Sequence, residues 1–214
     1  MSNPEGPRVA IRPRAALALI AAAITVAGGL VVATIGWYAT VQGTTGAARG
    51  VRARVTFSSD CDAEARPVIL ARLADYGLPA MPAPDTGGLA FDVTMPGMPD
   101  DLTHMPAALA APGTLELKVD GTPRPATITQ IGVQLAFSGT PVTLVMLAEP
   151  LPERGVEVIV DGKPADLEEV TGTELQIAAR AGQSTEALRL ATDRSVALRH
   201  PLPCPVTVVS AEAM

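Results

Sequence analysis

Residues 51–77 read VRARVTFSSDCDAEARPVILARLADYG. The first seven, VRARVTF, alternate apolar with basic or polar residues, which is the period of a strand with one buried face. The pattern then changes. Asp60 or Asp62 can cap a helix running from about Ala63 to Tyr76, with Val68, Ile69, Leu70 and Leu73 as its buried side. Gly77 follows at the position where a left-handed residue ends a helix. A strand therefore leads directly into a helix, and the question is what continues the sheet.

Leu89–Met95, LAFDVTM, alternates again and reads as a strand. Pro99-Asp100-Asp101 opens a second helix to about Ala110, closed by Pro112-Gly113. Thr114–Val119 is the next strand. The order β-α-β-α-β is that of a split βαβ, or ferredoxin-like, sheet, so residues 51–214 are expected to form an α+β domain with additional antiparallel strands. Ala126–Phe137, Pro141–Ala148 and Glu174–Ala179 read as further strands. Ser184 caps a helix through about Thr192, and Val196–Leu198 and Val206–Val209 read as strands, the latter the last.

The second half repeats a piece of the first. Glu116–Pro123, ELKVDGTP, matches Glu157–Pro164, EVIVDGKP. Each is a strand entering an Asp-Gly turn, and Asp-Gly tolerates the positive φ angles of tight hairpins. Asp120 and Asp161 are therefore read as turn residues. A catalytic carboxylate pair is the sharper alternative, but no partner acid or histidine stands at motif spacing.

Upstream, Ala15–Tyr38 carries no charge. At 1.5 Å per residue it reaches roughly 36 Å, enough to cross a bilayer with tilt. Trp37 and Tyr38 fall where an interfacial aromatic belt would be. The alternative is a cleavable signal peptide, whose apolar region runs only ~7–15 residues. The expected organisation is a cytoplasmic tail (1–14), one transmembrane helix (15–38), a linker (39–50) and one domain (51–214), with no second span. Arg8, Arg12 and Arg14 before the span balance Arg49, Arg52 and Arg54 after it, so charge alone leaves the orientation open. The short Pro-rich N-terminus is taken as the inner side and the domain as the outer.

Composition narrows the chemistry. Net charge is −6 and aromatics are 3% of the chain; a phosphate backbone and base-stacking platforms fit neither, so no nucleic-acid partner is expected. There is no nucleophile elbow, Gly-rich phosphate loop or HExxH, so no catalytic residue, cofactor or metal ligand is assigned. Met81, Met95, Met98 and Met105 with His104 could in principle hold Cu(I), but methionine more often fills cores. His200, between Arg199 and Pro201, is read as a loop residue. Cys61 lies just after the first strand and Cys204 just before the last. If those strands are neighbours and the domain is exported, the two form a disulfide; otherwise they are two unpaired buried thiols.

Several stretches, taken in order, resemble the SecD family of protein-export accessory subunits. Val68–Leu78 is similar to that family's "VLxxRLxxxGV" helix, and Phe91–Asp100 to its "IxVxLPGxxD". Ala111–Leu117 is similar to "GxLEFR", and Val156–Pro164 to the strand and turn "LAIVLDGKV". Ser184–Val209 resembles the closing "SxxEAxxLAxxLRxGxLPAPxxVV". Ala165-Asp166 and Arg199-His200-Pro201 depart from the family pattern. The resemblance covers nearly the whole of 51–214 and implies the first transmembrane helix and first periplasmic domain of SecD. The five further spans that pair with SecF to conduct protons have no counterpart.

What the resemblance implies is a non-catalytic, single-pass protein of the bacterial inner membrane. Its partners would be Sec translocase subunits or secreted polypeptide chains, met on the outer side. An emerging chain would be held in an apolar groove or on a free strand edge. The alternatives are a structural protein of an envelope complex built on the same fold, or a periplasmic metal-binding protein.

Overall fold

The computed structural model describes residues 50–78, 80–83, 88–95, 101–179 and 184–214. Among them no helix is long and apolar enough to cross a membrane. The expected tail (1–14), span (15–38) and all but the last residue of the linker (39–50) lie outside the described residues. The described residues of 50–214 form one compact α+β unit of three antiparallel four-stranded sheets and three helices.

Chain order is β1 (Val51–Ser59), α1 (Asp62–Asp75), β2 (Ala80–Pro82), β3 (Leu89–Met95), α2 (Asp101–Ala110), β4 (Leu115–Val119), β5 (Thr122–Arg124), β6 (Ile128–Leu135) and β7 (Pro141–Leu147). It continues with β8 (Val156–Val160), β9 (Lys163–Ala165), β10 (Leu167–Thr171), β11 (Glu174–Ala178), α3 (Ser184–Arg199) and β12 (Val206–Ala213).

Sheet I has the order β12-β1-β3-β2. The alternation in the sequence becomes its buried face: Ala53, Val55 and Phe57 from β1 and Leu89, Phe91, Val93 and Met95 from β3. Ile69 and Leu73, one turn apart on α1, and Leu109 of α2 join the same core. Phe57 and Phe91 meet edge to face at 6.2 Å. Helix α1 begins after Cys61, which makes no side-chain cap, so neither Asp60 nor Asp62 caps it as expected. It ends as the sequence implies, with Gly77 at φ 67°, Gly77 N–H donating to Ala74 and Leu78 N–H to Leu73.

The next strand departs from the expected order. β4 does not join sheet I but starts sheet II, β5-β4-β8-β9, and the C-terminal β12 takes the place beside β1. Sheet II is the internal repeat made structural. Asp120 and Asp161 sit at φ 50° and 51°, followed by Gly121 and Gly162 at 76° and 73°. Two successive positive φ values make a type I′ turn, so each copy folds into a two-residue hairpin. The copies pair antiparallel through β4 and β8, with Leu117 opposite Val158, and a local two-fold relates them. Asp120 N–H donates to Gly155 at 2.8 Å, and Asp161 N–H to Thr114 at 3.1 Å.

Sheet III, β10-β11-β7-β6, packs against sheet II. Leu117 and Val158 of sheet II meet Val145, Leu147, Leu175 and Ile177 of sheet III, and Leu198 of α3 closes the cluster. Burying each such side chain contributes roughly 1.5–3 kcal/mol. Helix α3 runs seven residues beyond the expected end at Thr192, to Arg199. Val196–Leu198, read as a strand, is its last turn. These three apolar residues are all buried, and a short apolar run does not by itself distinguish strand from buried helix.

Candidate polypeptide-binding edge

Three open sheets leave six edge strands, and five carry the features that deter pairing with another chain. β2, β5 and β9 are three residues long and contain Pro82, Pro123 and Pro164. β10 carries Glu168 and Glu169, and its register with β11 slips between Leu167 and Glu169. β12 carries Glu212 and its register with β1 slips near Phe57, although its Val208 and Val209 are exposed. β6, ITQIGVQL, is eight residues long and has neither charge nor proline. Its one irregularity lies at its start, between Ile128 and Gln130.

Ladder geometry shows which of its backbone groups face outward. Ala136 N–H donates to Thr140 at 2.9 Å, so 136 and 140 are a bonded pair. In an antiparallel ladder bonded and non-bonded pairs alternate. Gln134 and Gly132 therefore bond to β7, while Ile131, Val133 and Leu135 turn their N–H and C=O groups away. A side chain is consistent with this assignment: Arg199 Nη2 donates to the Ile131 carbonyl at 3.3 Å, a carbonyl the register leaves unbonded to β7. Beyond Ile131 the edge is uncovered among the described residues. Val133 and Leu135 are 37% and 62% exposed, and Phe137 at the hairpin tip is fully exposed. A turn over Ser138 and Gly139, with Gly139 at φ 80°, holds this tip.

Helix α3 packs across β6 and β7, and two clusters tie it to α1 and α2. Tyr76 OH donates to Asp193 Oδ1 at 2.8 Å, and His104 Nε2 lies 2.6 Å from Asp193 Oδ2. Arg199 Nη1 and His200 Nε2 lie 2.6 and 3.0 Å from Asp75 Oδ2. Between these clusters sits Arg72, fully buried. Its guanidinium donates to the carbonyls of Leu109 and Ala111 at the end of α2, and of Ala197 and His200 at the end of α3. Burial lowers its pKa to about 10, which leaves it charged at neutral pH. The carbonyl ends of the two helices supply the compensating partial charge. The sequence places Arg72 inside a family-like motif but assigns it no role. Its position next to Leu73, on the buried side of α1, is the signal that points to one.

The other candidates read from the sequence separate in space. Asp120 and Asp161 lie at opposite ends of sheet II, about 20 Å apart at 3.4 Å per residue, and act as turn residues rather than an acid pair. Met95 is core, Met105 packs partly buried on that core, Met81 is largely exposed and His104 is engaged with Asp193. Met98 lies outside the described residues. His200 is no bystander: its ring meets Asp75 and its carbonyl receives Arg72. Cys61 and Cys204 are disulfide-bonded, with Cα atoms 6.4 Å apart, and join the start of α1 to the segment before β12. Ser59 Oγ lies against both sulfurs and accepts the Cys61 N–H at 3.1 Å. A cleft of about 300 Å³ opens between sheets II and III, lined by Leu117, Leu147 and Leu151. Arg124, which also lines it, is held by Glu149 and the Pro150 carbonyl.

No family model and no curated protein matches the chain. Solved structures of SecDF are among those that resemble it. The crystal structure of SecDF in a super-membrane-facing form aligns with a TM-score of 0.50 at 13% identity, over 75% of this chain and 30% of that one. A structure of SecDF, described as a membrane component that enhances protein export, aligns with a TM-score of 0.45 at 13% identity, over 75% of this chain and 100% of that one. This chain thus spans less than a third of the length of the first SecDF chain it matches, and at this identity the likeness is one of fold.

Proposed function

We propose that the chain is a single-pass, non-catalytic component of protein export. Its 51–214 domain faces the outer side of the bacterial inner membrane and contacts exported polypeptides or Sec translocase subunits. The observation that carries this reading is the likeness of its fold to SecDF, met by SecD-like motifs in the same order along the sequence. Sheet I supports the finer comparison. Counting β1, β2, β3 and β12 as its four strands, their spatial order is 4-1-3-2 with every neighbour antiparallel. That is a ferredoxin-like sheet with sheets II and III inserted before its last strand.

A role of this kind needs a surface rather than a reactive group. The uncovered β6 edge is such a surface, because extended chains bind by adding a strand whose main chain supplies affinity. The anchor would be Ala15–Tyr38. The Cys61–Cys204 bond fits an oxidising compartment.

The test is purification of the tagged full chain from bacterial membranes in mild detergent. Recovery of translocase subunits or exported precursors supports the reading. Recovery of unrelated envelope proteins alone would mean that the fold serves another complex. Protease digestion of spheroplasts checks the orientation, and the domain should be cleaved without lysis.

A further inference from the structure

The four strands of sheet III and the β6–β7 hairpin contain three glutamates, Glu168, Glu169 and Glu174, and no lysine, arginine or histidine. The arginines of α3 that reach this sheet are held by groups other than its carboxylates. Arg199 pairs with Asp75 and the Ile131 carbonyl, and Arg194 donates to the Ala178 carbonyl. The carboxylates are gathered rather than dispersed. Gln176 Nε2 donates to Glu174 Oε1 at 2.8 Å and to Glu169 Oε2 at 3.3 Å, drawing two like charges over one amide. The same amide's oxygen is buried with no hydrogen-bond partner among the described residues, so the arrangement that gathers the two carboxylates is made at a cost in stability.

The geometry connects this acidic face to the free edge. Gln134, on β6, donates to Glu174 Oε1 at 3.2 Å, so that carboxylate leans over β7 toward β6. Gly132 precedes it on the same face with no side chain, and a Cβ built there meets nothing within 4 Å. Gly132 therefore leaves the β6 edge open on this face, with Leu144 and Met146 of β7 as the floor between it and Glu174. A strand added beside β6 would lie three spacings of about 4.8 Å from β11, and a lysine or arginine spans that gap only because the Glu174 carboxylate itself reaches toward β6. On the opposite face the same added strand would set its alternate side chains beside Val133 and Leu135.

We propose that the β6 edge takes an extended polypeptide segment alternating apolar with cationic residues, its apolar side chains against Val133 and Leu135 and a lysine or arginine directed over Gly132 to Glu174. This rests on the polypeptide-contacting role and names its ligand chemistry.

The test uses the full chain in detergent micelles and two labelled peptides of equal length, valine alternating with lysine or valine alternating with glutamate, read by fluorescence anisotropy. The lysine peptide should bind at least tenfold more tightly, and added salt should narrow the gap. Glu174→Gln should weaken the lysine peptide severalfold and flatten its salt dependence. Val133→Pro removes an outward N–H at an edge position where proline is tolerated. It should abolish binding, with circular dichroism and melting unchanged. Equal affinity for both peptides, or undiminished binding by Val133→Pro, would overturn the proposal. So would loss of self-association in Val133→Pro with no peptide bound by the parent, which would make the edge a contact between two copies. If translocase subunits still co-purify with Val133→Pro, the export role stands and only the assignment of this edge falls.

Discussion

Arg72 Nε and Nη2 both donate to the carbonyl oxygen of His200, at 2.9 and 2.6 Å, across 128 positions of chain. The remaining guanidinium nitrogen, Nη1, serves Leu109 and Ala111 at the end of α2, at 2.7 and 2.6 Å. One buried side chain on α1 thus fixes where two other helices end, including the helix that backs β6. Replacing it by methionine keeps the volume but orphans several buried carbonyls, at about 1–3 kcal/mol each before relaxation. We expect Arg72→Met to lose about 3–5 kcal/mol in urea unfolding. Arg72→Lys should recover only part of this, because an ammonium cannot reproduce the fork.

Gly113 makes the close approach beneath this cluster possible. It holds φ 76°, and a Cβ there would collide with the Ala197 carbonyl oxygen and crowd Arg72 Nη2. Gly113→Ala therefore suffers both backbone strain and a clash with main chain that cannot yield. A loss of about 2 kcal/mol or more is expected from the melting curve.

The Cys61–Cys204 bond closes a loop of sequence separation 143. In the chain-entropy model a loop of this size contributes about 4–5 kcal/mol. Cys204→Ser, or treatment with dithiothreitol, should lower the urea midpoint and raise m, because the unfolded chain freed of the cross-link is less compact. Because the bond joins α1 to the segment before β12, hydrogen exchange should rise first in β12 and the adjoining part of β1.

Arg54 and Asp92 face each other across β1 and β3 and pair through two bonds, at 2.7 and 3.0 Å. The Arg54 hydrogen bond holds the Asp92 carboxyl below its usual range. A depressed carboxylate pKa stabilises the fold at pH above the unfolded value, 3.8, and that contribution is lost as pH falls through the folded value. Asp92→Asn should therefore be less stable than the parent at pH 6, with the gap closing below pH 3.8. The pair is solvent-accessible, so the effect is small and shrinks with salt.

The parts of the domain whose signals are local were legible. The alternation of 51–57 and 89–95, Gly77 and the two Asp-Gly turns all became what their chemistry requires. The partner of each strand was not legible. The β4 strand looks like the continuation of sheet I, and nothing local reveals that the internal repeat pairs with itself or that β12 returns to β1. The three-residue strands β2, β5 and β9 are too short to show a period. The end of α3 was hidden by its burial, since Val196–Leu198 lies in a helix turn covered on all sides. The free edge depended on the same long-range pairing: the residues of β6 read as a strand, but which strands lie at an edge follows only from the order of the sheet.

Whether the β6 edge meets exported chains can be read by site-specific photocrosslinking during export. A photoreactive residue would replace Leu135 in the full chain, with Lys163 on β9 as the control position, in cells carrying a secreted precursor stalled in translocation. Adducts from position 135 to the stalled precursor or to translocase subunits are expected, with few or none from position 163. Equal labelling from both positions, or adducts only to envelope proteins unrelated to export, would refute the export role assigned to this edge.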